Sequence, residues 1–170
     1  MNSENTTAAL PGAASLEKDL SPTPPLINHG RLIPIQIYYD DLDAMGMLHH
    51  ARYATVFERA ILDYWAGRGY VPAGDDRSPD LFSAVRELAI EYHVPVTAPG
   101  LLLVHLWLNR LGRTSAEFGF RLLTVDGSTV HAEGRRVIIK LDPGTLRPTA
   151  WSARILADAV ELQAAPYERN

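Results

Sequence analysis

The chain has 170 residues, 46% of them hydrophobic and 21% charged, which is typical of one globular domain with a short extension. It has no cysteine, so disulfides, cysteine nucleophiles and thiolate metal sites are excluded. The net charge of −4 argues against a general nucleic-acid binder, because such a protein needs a basic face.

Residues 1–30 are predicted to form a flexible tail. This stretch is rich in Ser, Thr, Ala and Pro, and it has too little apolar surface to offset the entropy lost on ordering. It also lacks the basic and apolar regions of a secretory signal, and no apolar run is long enough to span a bilayer. We therefore expect a cytoplasmic protein without a membrane span, whose domain covers residues 31–165.

A strand at about residues 32–39 is predicted to precede an amphipathic helix at about residues 51–66. The strand carries isoleucines at every second position, as a half-buried strand does. Apolar residues of the helix recur at i, i+3, i+4 and i+7 spacing, which places them on one face. They are Tyr53, Val56, Phe57, Ala60, Ile61 and Tyr64.

Four further strands are predicted after the helix, with no second long helix between them. They fall at about residues 83–93, 101–110, 115–122 and 129–141, followed by a short helix near the C-terminus. Consecutive hairpins in this order predict an α+β fold, in which a five-stranded antiparallel sheet wraps one long helix. The open edges of such a sheet favour a homo-oligomer.

The candidate chemistry lies between the first strand and the helix. Asp43 stands in a glycine-containing loop seven residues before the helix. A helix N-terminus offers unpaired backbone N–H groups and a partial positive charge. A carboxylate there could deliver or activate a nucleophile, while the N–H groups stabilise the oxyanion formed at an attacked carbonyl. Acidic residues before helices are also ordinary caps, so the pattern alone leaves both interpretations open.

The same residues resemble a known family. From Tyr38 to Tyr53 the chain reads Tyr-Tyr-Asp-Asp-Leu-Asp-Ala-Met-Gly-Met-Leu-His-His-Ala-Arg-Tyr. This run is similar to the opening segment of hotdog-fold acyl-CoA thioesterases of the 4-hydroxybenzoyl-CoA thioesterase family, especially the Tol–Pal-associated branch. The similarity continues at residues 91–95, 112–115 and 141–143. It implies a hotdog fold of order β-α-β-β-β-β that hydrolyses an acyl-CoA or acyl-carrier-protein thioester. It also implies homodimers or homotetramers with active sites between subunits.

The resemblance implies roles for particular residues. Asp43 matches the catalytic carboxylate, acting as general base or nucleophile, and Tyr39 and His50 match the residues that orient it or the water. The backbone N–H of His50 is the expected oxyanion donor. Gly46, Met45 and Arg113 are the predicted substrate-binding residues: the first two adjoin the catalytic loop, and Arg113 stands in a turn where it could contact phosphates.

No cofactor and no metal are expected. His49 and His50 are neighbours in sequence, but no His-Glu-x-x-His pattern accompanies them. Glu58 is the rival catalytic carboxylate, since some other hotdog thioesterases use an acidic residue on the helix. A salt bridge is the preferred interpretation of Glu58.

Two other functions stay open. One is hydration or dehydration of an enoyl thioester, whose usual Asp-x-Asn-x-x-His loop the residues from Asp43 to His50 match poorly. The other is non-catalytic binding of an acyl thioester, against which the presence of Asp43 argues. Met45 replaces a usual glycine of the family, and Leu42 a threonine, so no acyl preference can be carried over.

Overall fold

The computed structural model describes residues 27–164. Its regular elements are β1 (Arg31–Ile37), α1 (His50–Ala66), β2 (Ser83–Tyr92), β3 (Gly100–Leu111), β4 (Ser115–Leu123), β5 (Val130–Lys140) and α2 (Ala153–Asp158), with 3-10 turns at Tyr39–Asp41, Pro79–Leu81 and Ala159–Leu162. Most of the predicted tail and the last residue of the predicted domain lie outside the described residues.

The five strands form one antiparallel sheet in the order β1-β3-β4-β5-β2. A five-stranded antiparallel sheet accompanied by a helix is therefore confirmed. The expectation of consecutive hairpins was wrong for one connection, because β2 pairs with β5 and not with β3, its successor in the chain. The turn signal between the two strands, around Pro95 to Gly100, cannot distinguish a hairpin from a crossing over the sheet to β3, which lies beside the opposite edge strand β1.

Helix α1 packs its apolar face against the sheet, and this face matches the predicted one. All six predicted face residues are buried, and Phe57 stacks on Phe120 of β4 with ring centroids 3.6 Å apart. On β1 the alternating isoleucines Ile33, Ile35 and Ile37 are buried in the same cluster. Burial of this size stabilises a domain by about 1.5–3 kcal/mol for each large side chain.

Edge strand β1 contains Pro34, which removes a backbone donor. Because β1 pairs only with β3, the missing N–H falls where the edge strand can tolerate it. The opposite edge, β2, is exposed along nearly its whole length. Unpaired strand edges of this kind are sites of association.

The C-terminal segment closes one end of the sheet. Trp151, Ile155, Ala159 and Leu162 are buried against the core, as the predicted terminal helix requires. The segment is a short α-helix followed by a 3-10 turn. Within residues 27–164, no helix is both long and apolar enough to cross a membrane.

Candidate active site

The Asp43 loop is held closed by its own backbone. The Asp43 N–H donates to Met47 O at 2.7 Å, and the Gly46 N–H donates to Asp43 O at 2.9 Å. Leu42 and Leu48 form an antiparallel bridge that joins the two ends of the loop. Gly46 has a φ of +75°, a left-handed conformation that glycine adopts without strain. The sequence thus specifies a tight loop of five residues.

The Asp43 side chain is oriented by the same loop. Its Oδ1 accepts hydrogen bonds from the N–H groups of Met45, at 2.8 Å, and Met47, at 3.2 Å. Among the described residues, Oδ2 has no hydrogen-bond donor. One carboxylate oxygen therefore fixes the direction of the group, while the other remains available to water or to a carbonyl carbon.

Asp41 fixes the loop to helix α1. It is buried, and its Oδ2 accepts a hydrogen bond from the Tyr38 N–H at 3.0 Å. Its carboxylate lies 3.8 Å from Arg52 Nε and 3.6 Å from Arg59 Nη1, both on α1. Its carbonyl oxygen accepts from the His49 N–H at 3.0 Å. Asp41 is thus a structural carboxylate, and its bond to Tyr38 also ends β1 before Tyr39.

The two histidines occupy the start of α1. His49 is the N-cap residue, and its Nδ1 accepts a hydrogen bond from the Ala51 N–H at 3.2 Å. His50 is the first helical residue, and its ring lies 4.3 Å from the His49 ring, between centroids. Within the described residues the His50 N–H has no acceptor, so it is available to an oxyanion at the positive end of a 17-residue helix.

These groups surround one surface depression of about 300 Å³. It is lined by the Asp43 loop, by the first turn of α1 and by the chain that leaves β2: Asp43, Met45, Met47, Leu48, His50, Tyr53, Tyr92, His93, Val94 and Pro95. A carboxylate, a helix N-terminus and an apolar floor thus face one space.

The far wall of the depression is tied to the helix. Tyr92 donates a hydrogen bond from its hydroxyl to His50 O at 3.3 Å, and its ring meets the Tyr53 ring edge-on. The Leu48 N–H donates to Val96 O at 2.8 Å, which fixes the chain after β2 against the loop. Burial raises the pKa of Tyr53, so this phenol stays neutral under physiological conditions.

Only part of the predicted site comes together in one protomer. Asp43, Met45 and His50 line the depression, whereas Tyr39, Gly46 and Arg113 do not. Tyr39 lies in the 3-10 turn with 82% of its surface exposed. Gly46 shapes the loop rather than the wall. Arg113 follows the end of β3, at the opposite end of the sheet from the loop.

The rival carboxylate lies elsewhere. Glu58 Oε1 accepts a hydrogen bond from Arg136 Nη2 at 3.3 Å, which is the salt bridge expected from the sequence. Glu58 does not line the depression around Asp43; it lines a second cavity further along α1.

Sequence reasoning missed the contribution of Tyr92 and His93. They stand about 40 residues after the helix start, and nothing in their spacing shows that β2 ends beside the Asp43 loop. The run from Glu91 to Pro95 was the available signal, because it carries part of the family resemblance.

Three side chains near the rim, Glu91, His93 and Glu133, have the spacing of metal ligands. His93 Nε2 lies 3.6 Å from Glu133 Oε1, and His93 Nδ1 lies 4.0 Å from Glu91 Oε1. Glu133 also accepts a hydrogen bond from Arg121 Nε at 2.8 Å, and that bond lowers the pKa of the Glu133 carboxyl. The positive charge of Arg121 at this distance would repel a metal ion bound at Glu133. The three side chains therefore form a surface ion-pair network, not a metal site.

Comparison with known proteins identifies the family. The family model of the Thioesterase superfamily matches residues 45–131. The chain is 26% identical over 132 residues to the acyl-CoA thioesterase YbgC of Haemophilus influenzae, covering 78% of this chain and 96% of that protein. It is 25% identical over 125 residues to the acyl-CoA thioester hydrolase YbgC of Escherichia coli, covering 74% and 92%.

Solved structures share the fold. The PA5185 protein of Pseudomonas aeruginosa has a TM-score of 0.70 at 23% identity, covering 81% of this chain and 94% of that one. The DHNA-CoA thioesterase of Staphylococcus aureus has a TM-score of 0.61 at 25% identity, covering 70% and 78%. Since the family model matches more than half of the chain, the chain belongs to the thioesterase superfamily, and it is a hydrolase with a hotdog-type fold.

Proposed function

We propose that this protein hydrolyses an acyl-CoA thioester, with Asp43 as general base or nucleophile at the N-terminus of α1. The single observation that carries the proposal is that the Asp43 carboxylate and the start of α1 line one depression. The relatives named acyl-CoA thioesterase support the same substrate class. Acyl carrier protein is the other proposed bearer of the acyl group.

The orientation of Asp43 suits attack on a thioester. Two loop N–H groups hold Oδ1, so Oδ2 is the oxygen that takes a proton from water or attacks the carbonyl carbon. In the first route water attacks and the thiolate of CoA leaves. In the second route a mixed anhydride forms between Asp43 and the acyl group, and water then cleaves it. Both routes end in a carboxylic acid and free CoA thiol.

The start of α1 supplies the charge stabilisation. An oxyanion forms on the thioester carbonyl oxygen in either route, and the His50 N–H is positioned to donate to it. Loss of one such donor typically raises the barrier by about 2.7–4 kcal/mol. The partial positive charge at the N-terminus of α1 stabilises the oxyanion at the same point.

Most of the remaining predicted residues have supporting roles in the proposal. Met45, with 74% of its surface exposed at the rim, borders the space for the acyl group. The His50 imidazole orients water or the carboxylate, whereas the exposed Tyr39 side chain, which does not line the depression, takes no part in this proposal. Arg113 binds phosphates of the CoA arm, from a subunit other than the one that supplies Asp43, because it lies at the far end of its own sheet.

We also propose that two copies pair through β2, so that the sheet continues across the dimer and wraps both helices in the hotdog manner. Val85, Leu88 and Tyr92 expose apolar side chains on this unpaired edge strand. A dimer would cover them and supply partners for the free backbone groups. Relatives named YbgC make the Tol–Pal-associated branch the proposed branch of the family.

A thiol-release assay tests the activity. Purified protein is mixed with acyl-CoAs that vary in length and aromaticity, and then with acyl carrier proteins, and free thiol is measured over time. The proposal expects saturable thiol release for at least one acyl-CoA. Hydration of an enoyl-CoA without thiol release would identify the hydratase alternative, and binding without turnover of any thioester would identify a non-catalytic binder.

A further inference from the structure

The proposed reaction needs two groups in a fixed relation, the Asp43 carboxylate and the His50 N–H. They belong to different elements, since Asp43 lies in the loop and His50 begins α1. A displacement of about 1 Å between reacting groups can lower a rate by about a hundredfold. Contacts that hold the loop against the start of the helix therefore bear directly on turnover.

Asp41 connects these two groups. Its carbonyl oxygen accepts a hydrogen bond at 3.0 Å from the N–H of His49, the neighbour of His50. Along the chain only Leu42 separates Asp41 from Asp43. A displacement of Asp41 would therefore move both the carboxylate and the proposed oxyanion donor. Asp41 itself is only 2% exposed and does not line the depression, so it acts through these neighbours and not on the substrate.

Two arginines of α1 face the Asp41 carboxylate. Arg59 Nη1 lies 3.6 Å from Oδ2, and Arg52 Nε lies 3.8 Å from Oδ1. The two arginines are seven positions apart in the sequence. They therefore stand on one face of the helix, two turns or about 10 Å apart along its axis. The carboxylate is held between them, which fixes its position along the helix as well as its distance from it.

Charge, and not a hydrogen bond, holds this contact. Both distances exceed the range of a hydrogen bond, and Arg59 Nη1 is buried without an acceptor among residues 27–164. A buried carboxylate needs a cation beside it, because burial removes the water that would otherwise solvate the charge. Arg52 is the more distant of the two, and its Nη2 also donates to Asp40 O at 3.4 Å. Arg59 is therefore the main counterion of Asp41.

We propose that Asp41 and Arg59 form a positioning pair for thioester hydrolysis, in which their charge interaction fixes the Asp43 carboxylate relative to the His50 N–H. The inference rests on the proposed function and adds to it two residues on which turnover depends. The pair sets the geometry of attack and makes no contact with the acyl group or the CoA. Its loss therefore lowers kcat and leaves KM nearly unchanged.

Substitution of Arg59 tests the role of its charge. On the acyl-CoA that the parent hydrolyses fastest, Arg59→Met should lower kcat by about 10–100-fold and change KM by less than about threefold. Arg59→Lys should regain at least about a third of the parental kcat, because a point charge can replace the guanidinium where no bidentate hydrogen bond is made. Arg68→Met is the matched control: it breaks the ion pair with Glu161 beyond the other end of α1 and should match the parent in kcat.

All four proteins are assayed well below their thermal midpoints, so that each is folded. Parental kcat in Arg59→Met would overturn the positioning role, and so would a loss that Arg59→Lys does not reduce. An equal loss in Arg68→Met would assign the effect to the general stability of α1, and would also overturn the proposal.

Combined variants separate positioning from a loss of active protein. Asp41→Asn keeps an acceptor for the Tyr38 N–H but removes the charge, so Asp41→Asn/Arg59→Met should lose no more kcat than the more severe single variant. In the Asp43→Asn background, Arg59→Met should lower the residual rate by less than about threefold, because the group that it positions is already gone. Should Asp41→Asn fail to fold, the comparison in the Asp43→Asn background still decides.

A loss of active protein would lower the rate by the same factor with or without the Asp43 carboxylate. That result, or losses that multiply in the double variant, would overturn the pair. Parental kcat in Arg59→Met together with an inactive Asp43→Asn would refute the pair and leave the proposed function intact. Full activity of Asp43→Asn would instead refute the proposed function.

Discussion

Gly46 sets the shape of the loop that presents Asp43. Its φ of +75° lies where side chains with a Cβ are strained, although an added methyl group would meet no atom within 4 Å. We predict that Gly46→Ala costs about 1 kcal/mol of loop stability and lowers kcat more than it changes KM. Thiol-release kinetics and thermal unfolding check this. Unchanged kcat in a variant with a lowered thermal midpoint would show that loop shape does not matter for turnover.

The residues that line the depression were predictable where they are close together in the chain. Asp43, Met45 and His50 lie within eight positions, so their local order alone places them around one helix start. Tyr39 is as near in sequence but does not line the depression, because the Asp41–Tyr38 hydrogen bond turns the chain there. Tyr92 depends on where a distant strand ends, and local pattern carries no such information.

Among the elements, Asp80 joins three segments into one unit. Its Oδ1 lies 2.7 Å from Lys140 Nζ at the end of β5 and accepts from the Ser152 N–H at 3.0 Å. Its Oδ2 accepts from the Ser152 hydroxyl at 2.5 Å, at the N-cap of α2. Burial raises the Asp80 pKa, but these hydrogen bonds outweigh burial and hold the pKa below its ordinary value of 3.8.

The lowered pKa predicts the direction of acid sensitivity. Ionised Asp80 stabilises the fold fully above the unfolded-state pKa, and this stability is lost as pH falls from about 4 through the lower folded-state pKa. Asp80→Asn should cost about 3–5 kcal/mol at pH 7, since it leaves buried Lys140 unpaired. Below pH 4 the thermal midpoint of Asp80→Asn should then fall less steeply with decreasing pH than that of the parent. An equally steep fall in the two proteins would contradict the role of ionised Asp80.

The strands and the helix were predictable from the periodicity of the sequence, but the pairing of the strands was predictable only in part. Period-2 and helical patterns placed five strands and α1 to within about two residues at most ends, because each element has its own apolar face. The crossing from β2, at one edge of the sheet, to β3, which lies beside the opposite edge strand β1, was not predictable, since the choice of strand partners depends on the packing of the whole sheet.

At the scale of the whole molecule, exposed apolar groups on β2 predict self-association. Light scattering at micromolar concentration should give at least twice the 18.8 kDa chain mass. Leu88→Arg should shift the protein towards monomer, because it places charge on the proposed interface, while Leu156→Arg on α2 provides a matched exposed control. A monodisperse 18.8 kDa parent would refute the dimer.

The domain boundary can be tested by truncation. The sequence predicts a tail at residues 1–30, but His29 O accepts a hydrogen bond from His105 Nε2 on β3. We therefore propose that residues 1–26 are dispensable and that residues 27–30 contribute to stability. Deletion of residues 1–26 should leave the thermal midpoint within about 2 °C of the parent, and deletion of 1–30 should lower it further. A large fall after the shorter deletion would show that the tail packs on the domain.

The central claim is that the Asp43 carboxylate performs the chemistry, and the kcat of Asp43→Asn tests it most directly. Asparagine retains an Oδ1 acceptor for the Met45 and Met47 N–H groups, so the loop persists while the charge is lost. On the best acyl-CoA, kcat should fall by about 10²–10⁴ with a modest change in KM, and Asp40→Asn should match the parent. A folded Asp43→Asn variant near the parental rate, or a greater loss in Glu58→Gln, would contradict the account.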